Sequence, residues 1–209
     1  MASGFQTLAR AHRTETREKR SRFIATAMPA QDESEARTAI ERVRGEFPDA
    51  SHHCWAWVIQ AGRSEPVERC HDAGEPKGTA GPSILHAIHG ADLRDLVVIV
   101  TRYFGGTKLG KGGLARAYRG AAARALEGAP RRTTVPESRL LVDVPLPLDG
   151  EARHLVARHA GRVESSDYRD AKRCVLRVRV PLEARRALEG DLQAIARGEA
   201  RFKDVDEAI

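Results

Sequence analysis

Nineteen residues, Val100-Thr-Arg-Tyr-Phe-Gly-Gly-Thr-Lys-Leu-Gly-Lys-Gly-Gly-Leu-Ala-Arg-Ala-Tyr118, constrain this chain more than any other stretch. An unbroken apolar run, Leu96 to Val100, leads into them, and an alanine-rich stretch, Leu114 to Leu126, follows. The apolar run reads as a strand buried on both faces, and the alanine-rich stretch reads as a helix. Between them sit five glycines, Gly105, Gly106, Gly110, Gly112 and Gly113. Glycine lets a backbone turn sharply and approach a ligand closely. A strand, a glycine-rich loop and a helix N-terminus together aim backbone N–H groups at an anion. Arg102, Lys108, Lys111 and Arg116 add positive charge, and Tyr103, Phe104 and Tyr118 are aromatics interleaved with the cations, suited to stacking on bases. The expectation is an anion site, on a small phosphorylated ligand or a nucleic-acid backbone.

Charge is distributed unevenly. Up to Thr134 there are 21 Lys+Arg against 15 Asp+Glu; from Val135 onward there are 14 of each. The whole net charge of +6 therefore lies in the first part, which favours a polyanionic partner there. No window approaches the roughly 18 apolar residues of a membrane helix, so no membrane partner is expected. The arginine-rich start carries Glu15 and Glu18 and is followed by no apolar stretch, which argues against a secretory signal. Three cysteines at irregular spacing fit reduced thiols in a cytoplasm.

Periodicity divides the chain. A basic N-terminal tail running into the first strand is expected over 1–22, a domain over 20–130, a linker over 129–138 and a small domain over 137–209. Within the first domain, Phe23 to Pro29 and His52 to Gln60 read as strands, Ser34 to Phe47 as a helix ended by Pro48, and Glu65 to Arg69 as a short pairing strand. Ser83 to Ile88 reads as a short helix. In the second domain, Leu140 to Val144, Val163 to Tyr168, Cys174 to Val180 and Ala200 to Val205 read as strands. Helices are expected from Gly150 to His159, capped by Asp149, and from Leu182 to Arg197. That order, βαββαβ, is the ferredoxin-like pattern. The fold class is α+β.

Two further segments carry chemistry. The loop Asp72-Ala-Gly-Glu-Pro-Lys-Gly-Thr-Ala-Gly81 holds two carboxylates among Gly74, Gly78, Thr79 and Gly81. His53, Asp72 and Glu75 are the candidate acid–base groups of any reaction; a tight connection in which Asp72 and Thr79 bond to nearby backbone competes with that reading. His52, His53, Cys54, Cys70 and His71 have no zinc-site spacing, so no metal and no cofactor are expected. Gly105 to Lys111 satisfies Gly-x-x-x-x-Gly-Lys, but Gly112 stands where a Ser or Thr should hold magnesium, which argues against nucleotide hydrolysis.

Phe23, Pro48 to Trp57, Gly74 to Pro82 and Thr101 to Tyr118, in that order, resemble the signature of the IMPACT/YigZ family over roughly residues 20 to 128, and the second domain resembles that of the bacterial branch. The resemblance implies an N-terminal ribosomal protein S5 domain 2-like fold and a C-terminal ferredoxin-like domain similar to one in translation elongation factor G. It implies a translation-associated protein that binds RNA or the ribosome. The residues themselves leave two alternatives, an enzyme acting on a small phosphorylated or acidic substrate at the glycine loop and a protein-partner regulatory module. Eukaryotic members regulate translation through an extra N-terminal domain, so that role is not carried over. The family loop usually reads Asp-Asp-Gly-Glu-Pro; here Ala73 replaces the second aspartate, which argues against two-metal chemistry.

Overall fold

A computed structural model describes residues 4–60, 65–168 and 172–205. The chain divides into two compact units, with the boundary along the chain between Thr134 and Val135. Each unit is α+β, with all sheet pairing between its strands antiparallel.

The N-terminal unit is built on a five-stranded sheet. Its strands are His12–Glu18 (β2), Ser21–Pro29 (β3), His52–Ile59 (β4), Val67–His71 (β5) and Leu96–Tyr103 (β6), in the order β2-β3-β6-β4-β5. The apolar run thus becomes the central strand, buried from Leu96 to Arg102. Side chains alternate between the faces of a strand. Leu96, Val98 and Val100 face the helices Gly81–Ala91 (α2) and Gly110–Glu127 (α3). Val97 and Ile99 face Glu33–Glu46 (α1), which buries Ala36, Ala39, Ile40 and Val43. Each such aliphatic side chain contributes about 1.5–3 kcal/mol on burial, so β6 is the spine of the unit. The Asp32 side chain accepts from the Glu35 N–H at 2.8 Å and starts α1.

Two segments depart from the sequence reading. Residues 5–18, expected as tail, form Phe5–Leu8 (β1) and β2, while 1–3 lie outside the described residues. The expected linker contains Arg131–Thr134 (β7), which pairs with β1. Both β2 and β7 are polar edge strands, so no apolar alternation announces them. Helix α2 is also longer than expected at each end.

The C-terminal unit runs Glu137–Pro145 (β8), Asp149–Arg158 (α4), Arg162–Asp167 (β9), Arg173–Pro181 (β10), Arg185–Ile195 (α5) and Arg201–Asp204 (β11). Its sheet order β11-β8-β10-β9 with βαββαβ connectivity is the ferredoxin-like arrangement. Leu140, Val142 and Val144 and Leu176, Val178 and Val180 pack one face of the sheet against Leu155, Val156, Leu188 and Leu192 of the helices. Asp149 does not cap α4: its carboxylate sits in the first turn and accepts from Arg153 Nε at 2.8 Å.

Candidate functional site

The loop 72–80 is organised by one carboxylate. Asp72 accepts three backbone N–H bonds, from Gly78 at 2.7 Å and from Ala80 and Gly81 at 2.9 Å each. It thereby caps α2 from eight residues upstream, because no side chain at the helix start does so. Burial pushes its carboxyl pKa up, but the three donors outweigh that and hold it below the usual carboxylate range. Gly81 permits the approach: a Cβ there would lie 2.8 Å from the His71 nitrogen. Thr79 Oγ1 donates to the Pro76 carbonyl at 2.6 Å.

The loop delivers Glu75 into the core. Its Oε1 accepts from Arg102 Nη1 at 2.6 Å and from the Tyr118 hydroxyl at 2.8 Å. Arg102 Nη2 donates to Ser21 Oγ at 3.2 Å, and the same Ser21 oxygen accepts from the Gly105 N–H at 3.2 Å. The Arg102 guanidinium lies over the rings of Phe23 and Phe104, 5.5 and 5.4 Å from their centroids. Glu75 is 8%, Arg102 4% and Tyr118 0% exposed. One cluster therefore ties the loop, β3, β6 and α3 together, with each charge paired as burial requires. His52 Nδ1 donates to the Ala73 carbonyl at 2.9 Å, leaving Nε2 3.9 Å from Glu75. Burial pushes the Cys54 thiol up to about 12, and its Sγ lies 3.0 Å from the Asp72 carbonyl, so it is no thiolate nucleophile near neutral pH. Burial raises the Tyr118 phenol as well.

Beyond this cluster the glycine loop faces outward. Gly106 and Gly110 adopt φ of +83° and +70°, where side chains are strained. A Cβ on Gly105 would meet the Arg20 backbone carbon at 2.1 Å. Helix α3 then begins at Gly110 with no side-chain cap. Its first N–H groups have no intrahelical partners, and the macrodipole places partial positive charge there. Lys108, Lys111 and Arg116 are exposed around that end, and none forms an ion pair among the described residues. A groove of about 410 Å³ between β2 and α3 continues from it, lined by Arg17, Glu18, Gly113, Arg116, Gly120 and Arg124.

A family model describing the Impact N-terminal domain matches residues 19–126. The Escherichia coli protein described as IMPACT family member YigZ is 34% identical over 191 residues, spanning 90% of this chain and 92% of that one. The chain belongs to the IMPACT family. A Thermus thermophilus protein, "IMPACT family member in pol 5'region", is 44% identical over 148 residues, covering 68% of this chain and 78% of its own. A crystal structure described as a hypothetical protein matches both chains over their full lengths with a TM-score of 0.73 and 30% identity.

In this IMPACT-family chain the sequence candidates separate. His53 sits on the α1 face of the sheet, opposite Glu75, with Nδ1 3.1 Å from Thr101 Oγ1. Burial lowers its pKa, and the Arg44 charge adds to that. With Asp72 occupied by three backbone donors, His53, Asp72 and Glu75 do not form an acid–base set. Arg102 and Tyr118, expected at the anion, are buried partners of Glu75 instead. Tyr103 stays near the surface and donates to Asp49 Oδ1 at 2.8 Å, a bond that raises its pKa. Phe104, 49% exposed, is the aromatic that the loop does present. His52 was missed as the neighbour of Glu75; the two adjacent histidines differ only by strand parity. No group of three His, Cys, Asp or Glu among the described residues could hold a metal ion, and no helix among them is long and apolar enough to cross a membrane.

Proposed function

We propose that this chain is a cytoplasmic, translation-associated protein that binds RNA, free or in the ribosome, through the exposed end of α3. The observation that supports this most is the start of α3 at Gly110–Gly113, which no side chain caps, ringed by the exposed cations Lys108, Lys111 and Arg116, which form no ion pair among the described residues. Phosphate oxygens accept from helix-terminal N–H groups and from Lys and Arg, and such contacts carry no base specificity. Arg124 extends the positive surface along the groove, whose lining also holds Glu18 and Arg17, the latter paired with Glu15 at 3.4 Å. Phe104 can stack on an unpaired base. The buried Glu75–Arg102–Tyr118 cluster has the supporting role of fixing β6 and α3 on either side of the loop. Fluorescence anisotropy of a labelled structured RNA across a salt series tests the reading. Affinity should fall linearly on logarithmic axes as salt rises; no binding at low salt, or binding indifferent to salt, contradicts it.

The groove volume also lies within the range of small-molecule sites, about 300–1,000 Å³. A small phosphorylated substrate held at the same end of α3 is therefore the second reading. Thermal shift against nucleotides and phosphorylated metabolites separates the two: stabilisation by one compound, with no RNA binding, would favour it. A regulatory module that binds a protein partner predicts neither response.

A further inference from the structure

The C-terminal unit has as many acids as bases in sequence, and that balance hides a segregation. Residues 140, 142 and 144 of β8 and 174, 176, 178 and 180 of β10 point to the helices, so the residues between them form the open face of the sheet. Register arranges that face in rows. Arg139, Arg179 and Arg162 make one row across β8, β10 and β9. Lys203, Leu141, Arg177 and Ser165 make the next, across β11, β8, β10 and β9; Arg201, Asp143, Val175 and Asp167 make the third. Several of these cations are neutralised in place. Arg173 Nε meets Asp143 at 2.7 Å, Arg162 Nη1 meets Glu137 at 2.7 Å, and Arg179 pairs with Glu164. Arg177, Arg201 and Lys203 are exposed and form no ion pair among the described residues. They surround Leu141 and Val175, beside a shallow hollow of about 170 Å³ whose lining also includes Asp143 and Phe202. Adjacent strands lie about 4.8 Å apart, so Lys203 and Arg177 flank Leu141 across about 10 Å of rigid sheet.

We propose that the open face of the β11-β8-β10-β9 sheet is a second RNA-backbone surface, with Arg177, Arg201 and Lys203 as its phosphate contacts. The proposal rests on the reading of the chain as an RNA binder but uses different residues in a different unit. Protein–protein interfaces centre on aromatic and apolar anchors with few charges. The strand positions of this face carry only Leu141 and Val175 as apolar residues at its centre, and Phe202 at the rim of the hollow is held against the core, which favours a phosphate backbone over an acidic protein. It also makes the contact indifferent to base sequence.

Anisotropy of a labelled structured RNA over a salt series, with the full chain, tests it. Four proteins are compared: wild type, Lys108→Ala/Lys111→Ala, Arg177→Ala/Arg201→Ala/Lys203→Ala, and the combination. The triple variant replaces exposed side chains only, and its unfolding midpoint checks that it is folded. It should bind about tenfold or more weakly at low salt, with a salt slope shallower by about 3. Unchanged affinity and slope in the triple variant, with loss in the double variant, overturns the proposal and leaves the α3 reading standing. Loss in the triple variant alone supports the proposal and removes the α3 reading. No RNA binding by wild type overturns both, and binding of poly-glutamate in its place assigns the face to an acidic partner.

Discussion

Arg102 and Lys108 belong to one glycine-rich segment, and they meet opposite surroundings. Arg102 lies one residue before the end of the central strand on the face that α3 covers, so its charge is desolvated and needs Glu75, Ser21 and two aromatic rings around it. Lys108 lies past the last strand residue, in water, with no ion pair among the described residues. The lesson is that a cation's role in such a loop is set by strand parity and by where the strand stops. A buried pair holds the platform, and an exposed charge is left for a ligand.

Stability measurements can break that division. Removing one partner of a buried ion pair costs about 3–5 kcal/mol, because the other charge is left unpaired. Glu75→Ala and Arg102→Ala should each lower the unfolding free energy in urea by that amount; a loss under about 1 kcal/mol would show that the cluster does not hold the platform. Gly105→Ala comes next, at about 1–3 kcal/mol, since its Cβ would displace the Arg20 backbone. Asp72→Asn should cost about 0.5–2 kcal/mol as a lost cap, and it carries a pH signature. The Asp72 carboxyl is depressed in the folded chain. Its contribution is therefore complete above the unfolded value, about 3.9, and is lost as pH falls through the lower folded value. Wild-type stability should drop over that acid range, and the Asp72→Asn profile should be flatter. Smallest is Lys108→Ala/Lys111→Ala, expected within about 0.5 kcal/mol of wild type.

The sequence carried the parts that depend on local pattern. Leu96 to Val100 announced a doubly buried strand, Leu114 to Leu126 a helix, and the second unit its βαββαβ order. It could not carry what depends on partners far along the chain. The polar strands β2 and β7 exist because β3 and β1 lie beside them. Asp72 caps α2 across eight residues, outside any local capping pattern. Arg102 and Lys108 look alike in a string, and only the fixed face of β6 tells them apart. His52 and His53 are separated by the same parity, and the charge balance of the C-terminal unit conceals a basic sheet face because an overall count has no direction.

The most direct test of the account is the salt dependence of RNA affinity for folded Lys108→Ala/Lys111→Ala beside wild type. The account predicts weaker binding with a slope shallower by about 2, one unit for each phosphate contact removed, and an unfolding midpoint close to wild type. Affinity and slope both equal to wild type would contradict it, and would return the exposed cations of α3 to the role of solvated surface.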